Sequence, residues 1–108
     1  MSFKTLVIPA DPGEPCREET VSSAADINRL VGGFFQIVYH PTRDDVAMYC
    51  NEEAKSEDPR LNERATAIVR PILQPSDWIA GDVIFFGFSP ADPDEHDVPE
   101  DFVKELLP

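Results

Sequence analysis

The chain contains no apolar run approaching the roughly 20 residues that a membrane-spanning helix requires, so a bilayer span is not expected. Its opening segment, Met1 to Pro9, has too short an apolar stretch for a secretory leader. Pro9 and Asp11 end it before any cleavage-like site, and the expected location is the cytoplasm. Only two cysteines are present, Cys16 and Cys50, too few and too far apart for a disulfide framework. Two reduced thiols are the simpler reading, although a bridge between them stays formally open. Also missing are a phosphate-cradling glycine loop, a Walker lysine, zinc-type Cys/His spacing and a nucleophile elbow. On those grounds no cofactor and no metal are expected. The same absences point away from an enzyme without closing the question. Finally, there is no basic cluster: the 9 Lys and Arg residues are scattered singly among 21 acids, for a net charge of -12. A domain this acidic repels nucleic-acid phosphates and anionic lipid, so direct contact with nucleic acid or membrane is not expected.

What is present argues for one compact domain. A chain of 108 residues is of ordinary single-domain size. With 42% hydrophobic residues, seven Phe, two Tyr and one Trp, it can bury a core large enough to offset chain entropy. The negative charge is uneven. Residues 1–70 hold 12 acids against 8 bases, whereas residues 71–108 hold 9 against 1, with no Lys or Arg between Arg70 and Lys104.

The chain alternates between β-rich and helix-patterned segments. Phe3 to Ile8 reads as a strand stopped by Pro9-Ala10-Asp11-Pro12-Gly13, and Arg17 to Val21 as a short return strand. Ile27, Leu30 and Val31 stand at helical spacing behind a Ser22 or Ser23 cap, with Asp26 in the capping-box position and Gly32 or Gly33 as the stop. Phe34 to His40, dense in aromatic and β-branched residues, reads as a central strand. A turn at 41–45 leads to a second strand at Val46 to Cys50, giving a hairpin. Asn51 to Pro59 reads as a polar loop, and Asn62 to Arg70 as a capped helix ending before Pro71. Asp82 to Phe88 is the most apolar segment, a buried strand covered on both faces or a wholly buried edge. Val98 to Leu107 closes the chain as a short helix with Pro99 in its first turn. Without regular alternation of strands and long helices, the expected class is α+β, with a small, mainly antiparallel sheet and two or three short helices.

Three blocks carry a resemblance. They are Lys4-Thr5-Leu6-Val7-Ile8-Pro9-Ala10-Asp11, the stretch from Leu30-Val31-Gly32-Gly33 through Tyr49-Cys50-Asn51-Glu52-Glu53 to Leu61-Asn62-Glu63-Arg64-Ala65-Thr66, and Ile79-Ala80-Gly81-Asp82-Val83. On these the chain resembles domain-of-unknown-function family 3846, small proteins of actinobacteria and their bacteriophages. The resemblance implies an intracellular, often phage-encoded protein and carries no catalytic residues to transfer. One departure concerns the loop after Asn51. Where the family commonly has Gly before the lysine, this chain has Ala54-Lys55, so a turn needing positive φ would be strained and a different loop shape is expected.

Two polar constellations are candidate sites. Asn51, Glu52, Glu53 and Lys55, with Asn62 and Arg64 further on, read as a recognition surface on exposed polar loops, and as a ligand-binding or enzymatic site if a cleft joins Glu52, Glu53, Asn62 and Arg64. The structural alternative is that Asn51 only closes a strand and Asn62 only caps a helix. Asp92, Asp94, Glu95 and Asp97 surround His96 as a second cluster of oxygen ligands. Their spacing lacks the glycine and distal glutamate of a calcium loop, and a solvated acidic loop is the simpler reading. His40 reads as a strand-end residue, and the single Trp78 as core rather than an exposed anchor. Three functions are compatible with these features. The first expectation is a non-enzymatic accessory factor that binds another protein, a host protein if phage-encoded. The alternatives are an acidic DNA mimic and a small ligand-binding or enzymatic module around Asn51–Arg64. The oligomeric state stays open.

Overall fold

The computed structural model describes residues 2–107. Six strands form one antiparallel sheet: β1 (Phe3–Ile8), β2 (Arg17–Val21), β3 (Phe35–Tyr39), β4 (Val46–Asn51), β5 (Val83–Ser89) and β6 (Asp92–His96). The order along the sheet is β2-β1-β5-β4-β3, and β6 folds back from β5. Four helices complete the α+β domain: α1 (Ala24–Val31), α2 (Ala54–Glu57), α3 (Glu63–Val69) and α4 (Glu100–Leu106).

The continuous apolarity of β5 follows from its position. It is the middle strand, paired with β1 through Leu6↔Phe85 and with β4 through Met48↔Phe85. Because side chains alternate across a strand, Val83 and Phe85 enter one core and Ile84 and Phe86 the other. The first core is roofed by α3 and α4 through Ala65, Val69, Phe102 and Val103. The second lies under α1 through Ile27, Leu30 and Val31. Both faces of β5 are covered, as the sequence suggested.

Helix α1 forms where its signals place it. Ser23 Oγ accepts from the Asp26 N–H at 3.3 Å, and Asp26 returns a bond one residue earlier than a capping box would, from the Ser22 N–H at 2.8 Å. Gly32 ends the helix at φ 86°, a conformation open to glycine at little cost.

Three sequence expectations are corrected. Phe34 to His40 is not a central strand, because β3 is paired only with β4 and ends the sheet. Aromatic and β-branched content reports β propensity, not position within a sheet. The polar stretch after Asn51 contains a helical turn, α2. The acidic stretch Asp92–His96 is a strand and not a loop. It is held by hairpin pairing to β5, and Pro93 is tolerated on so short a flank.

Gly87 lies against the backbone at the end of β6, around His96 and Asp97. A Cβ there would run into the Asp97 carbonyl oxygen. Gly87→Ala is therefore expected to destabilise the domain by about 2–3 kcal/mol through overpacking. A fall in the urea midpoint, with loss of amide protection in β6 before the other strands, would show it.

The turn between β3 and β4 depends on a neutral imidazole. His40 Nδ1 accepts from the backbone N–H groups of Thr42 and Arg43, both at 3.1 Å. Burial first, and the neighbouring Arg43 charge second, lower its pKa from the ordinary 6.5. A histidine with a lowered folded pKa withholds protons from the folded state. Its contribution is thus complete above the unfolded value and is lost as pH falls through it. Against wild type, His40→Asn is expected to lose less thermal stability between about pH 7.5 and 5.5. Parallel melting curves over that range would test this.

Candidate functional site

A cleft of about 600 Å³ opens between the β3–β4 end of the sheet and the segment after the Arg70–Ile72 turn. Its floor is the sheet face carrying Gln36, Val38 and Cys50. One rim is the β4–α2 connection, with Glu52, Glu53, Lys55 and Ser56, and the opposite wall is Ile72, Leu73, Asp77 and Trp78.

Local rules place each polar group. Asn51 ends β4 almost fully buried at 4% exposure, and its Oδ1 accepts from the Glu53 N–H at 2.8 Å. Its Nδ2 donates to Glu57 Oε1 at 3.1 Å, so the side chain closes the turn into α2. Ala54 then takes a helical conformation. Among the described residues only Gly32 and Gly81 have positive φ, so the Ala54-Lys55 departure carries no backbone strain. The ammonium of Lys55 stands 5.0 Å from the centre of the Trp78 ring and pairs with Asp77. Asp77 also accepts from the Trp78 N–H at 2.8 Å. The Lys55 bond first, and that backbone bond second, lower the Asp77 pKa, so it is a carboxylate at neutral pH. On the floor, Gln36 Nε2 donates to Cys50 Sγ at 3.7 Å. Burial raises the Cys50 thiol pKa against that weaker contact, so the sulfur stays protonated. Cys16 and Cys50 are both free and buried.

Only part of the first constellation meets at the cleft. Asn51, Glu52, Glu53 and Lys55 do; Asn62 and Arg64 do not. Asn62 is fully buried, donating to the carbonyls of Ile8 and Gly81 at 2.9 Å each and capping α3 through the Ala65 N–H at 3.0 Å. Arg64 donates to the carbonyls of Pro9 at 2.7 Å and Asp11 at 3.0 Å, pinning the β1–β2 connection to α3.

The second constellation sits on and just after β6, where three of its members have internal partners. Glu95 accepts from the Tyr49 hydroxyl at 3.0 Å, and Asp97 from the Lys4 N–H at 2.8 Å. Asp92 accepts from the Asp94 N–H at 3.0 Å and lies 3.3 Å from His96 Nε2, while Asp94 itself is exposed. Among the described residues no group of three His, Cys, Asp or Glu side chains is placed to hold a metal ion.

Trp78 corrects a further expectation. It is half-buried rather than core, standing as a wall between the cleft and a second depression of about 530 Å³ lined by Leu61, Thr66 and Ala67. Gln36 and Asp77 were not legible as site residues. Their cleft partners, Cys50 for Gln36 and Lys55 for Asp77, lie 14 and 22 residues away in sequence.

Fold and cleft together define a small α+β domain, its antiparallel sheet covered on both faces and its concave surface at the β3 end. The chain belongs to the DUF3846 family, a domain of unknown function whose family model matches residues 3–107. No curated protein and no solved structure matches it. Among the described residues no helix is long and apolar enough to cross a membrane.

Removing the Asn62 side chain takes a buried donor from the carbonyls of Ile8 and Gly81 and the cap from the Ala65 N–H. Asn62→Ala is expected to cost about 3–5 kcal/mol. Asn62→Asp, which keeps the cap but loses both donors, should recover little of that. Chemical denaturation of both variants separates the cap from the donors.

Proposed function

We propose that the protein is a non-catalytic accessory factor that binds a basic, extended segment of another protein in the cleft beside Trp78. If the gene is phage-borne, the partner is a host protein and the site of action the host cytoplasm. The observation that carries this reading is a cation already over the Trp78 face: Lys55, paired with Asp77, in a cleft also lined by Glu52 and Glu53. A partner's Arg or Lys would find the same ring and carboxylates. The net charge of -12 would steer such a segment toward the protein.

The other readings draw less support. Catalysis at the cleft would need an activated group, whereas Cys50 is protonated, Asn51 is spent in a turn and Asp77 is ion-paired. A DNA mimic needs a regular array of acids on one face. Here acids stand on β2, on α1 over one face, and on α3 and α4 over the other.

Trp78 is the sole tryptophan, so its emission reports directly on the cleft. A short arginine-rich peptide is expected to shift that emission at low ionic strength, with the effect shrinking as salt rises. Lys55→Ala, which vacates the ring, should tighten binding several-fold, and Glu52→Gln with Glu53→Gln should weaken it by about 3–10-fold. Absence of binding, or binding that leaves Trp78 emission unchanged, would sink the reading.

A further inference from the structure

The two ends of the sheet differ in a way that bears on assembly. An exposed strand edge offers unpaired N–H and C=O groups, and proteins blunt such edges with charge, proline or bulges. Edge strand β2 carries Arg17, Glu18 and Glu19. Edge strand β3 carries no charge and no proline, and its pairing with β4 runs without a register shift. Of the five exposed large hydrophobic residues among those described, three lie on or beside β3: Phe34 at 74%, Ile37 at 37% and Tyr39 at 52%.

The hydrogen-bond phase identifies the free groups. The Phe34 carbonyl accepts from the Glu52 N–H, and the His40 N–H donates to the Val46 carbonyl. Even-numbered residues of this stretch therefore bond inward to β4, and Phe35, Ile37 and Tyr39 aim their N–H and C=O groups outward.

We propose that β3 pairs antiparallel with β3 of a second copy about a two-fold axis at Ile37, continuing the sheet across a homodimer. That register sets Ile37 opposite Ile37 of the second copy and Phe35 opposite its Tyr39. Every outward donor then meets an outward acceptor, and an aromatic pair forms on each side of the axis. A two-fold contact requires a self-complementary patch, and the equal spacing of Phe35 and Tyr39 from Ile37 supplies one. Charge selects the same place. Two chains of -12 each repel, and β3 brings no carboxylate of its own to the seam, whereas β2 and β6 do. On the cleft side Gln36 comes opposite Val38 of the second copy. Since both residues line the cleft, the two clefts abut across the axis.

Sedimentation velocity over a concentration series is expected to show a monomer–dimer equilibrium. Ile37→Lys and Ile37→Glu should each weaken the dimer by about 100-fold or more, because like charges then face each other on the axis. Mixing the two variants should restore a dimer, which also shows that both are folded. Ile37→Cys should cross-link to itself under oxidation, since directly opposed residues lie within disulfide reach, whereas Phe35→Cys should not. A monomer at all concentrations overturns the proposal. So does a dimer indifferent to charge at position 37, or cross-linking at 35 instead of 37.

Discussion

The buried amide of Asn62 holds the architecture to the cleft. Its Nδ2 joins the end of β1 at Ile8 to Gly81 just before β5, its Oδ1 starts α3, and its own N–H donates to the Ile79 carbonyl at 2.9 Å. Thr66, one turn further along α3, accepts from the Ile79 N–H at 2.9 Å, and Gly81 donates to the Arg60 carbonyl at 2.8 Å. The strap 79–81 is thus fastened at every residue to either α3 or the segment before it, including the isolated Leu61↔Ala80 bridge. Trp78 and Asp77 precede that strap directly. A side chain with no surface exposure therefore positions the cleft wall, which explains why Asn62 adjoins the site without entering it. Buried amides whose donors and acceptor are all used hold a unique arrangement, because any shift leaves a polar group unpaired in a dry interior.

What could be read from the sequence was what neighbours within a few residues decide. Ser23 and Gly32 bracket α1, Asn62 opens α3, and the run 83–88 is apolar because both its faces are covered. The helix at Asn62 goes one step beyond expectation, since Arg70–Ile72 continues it as a 3₁₀ turn despite Pro71, which stands in the first turn of that new segment. What escaped depends on distant partners. Nothing within Phe35–Tyr39 says that only one flank is paired. Nothing within Asp92–His96 says that Tyr49 waits to bind Glu95 and that β5 extends far enough to hold a strand rich in acids. The candidate site split for the same reason. Its contiguous members Asn51 to Lys55 stayed together, while Arg64 turned to carbonyls of the β1–β2 connection.

The acidity is best understood through where the cations go. Arg17, Arg29, Arg43, Lys55 and Arg60 each lie within ion-pair distance of a carboxylate, in most cases one two or three residues away in sequence. Such exposed, local pairs add little stability. Their effect is on the outward field: five of the nine cations are neutralised in place, so the carboxylates beyond their reach set most of the potential. Charge of one sign keeps identical chains apart and draws basic segments in. That repulsion acts as selection over surfaces, penalising contacts through β2, α4 or β6, all of which carry acids. The strand Phe35–Tyr39 escapes the penalty because it carries none. The cleft shares that strand through Gln36 and Val38 but is rimmed by Glu52 and Glu53. One strand thus presents an uncharged edge in the plane of the sheet and, on one face, the floor of an acidic cleft. The two proposed contacts, with a basic segment and with a second copy, use different surfaces, so neither need displace the other.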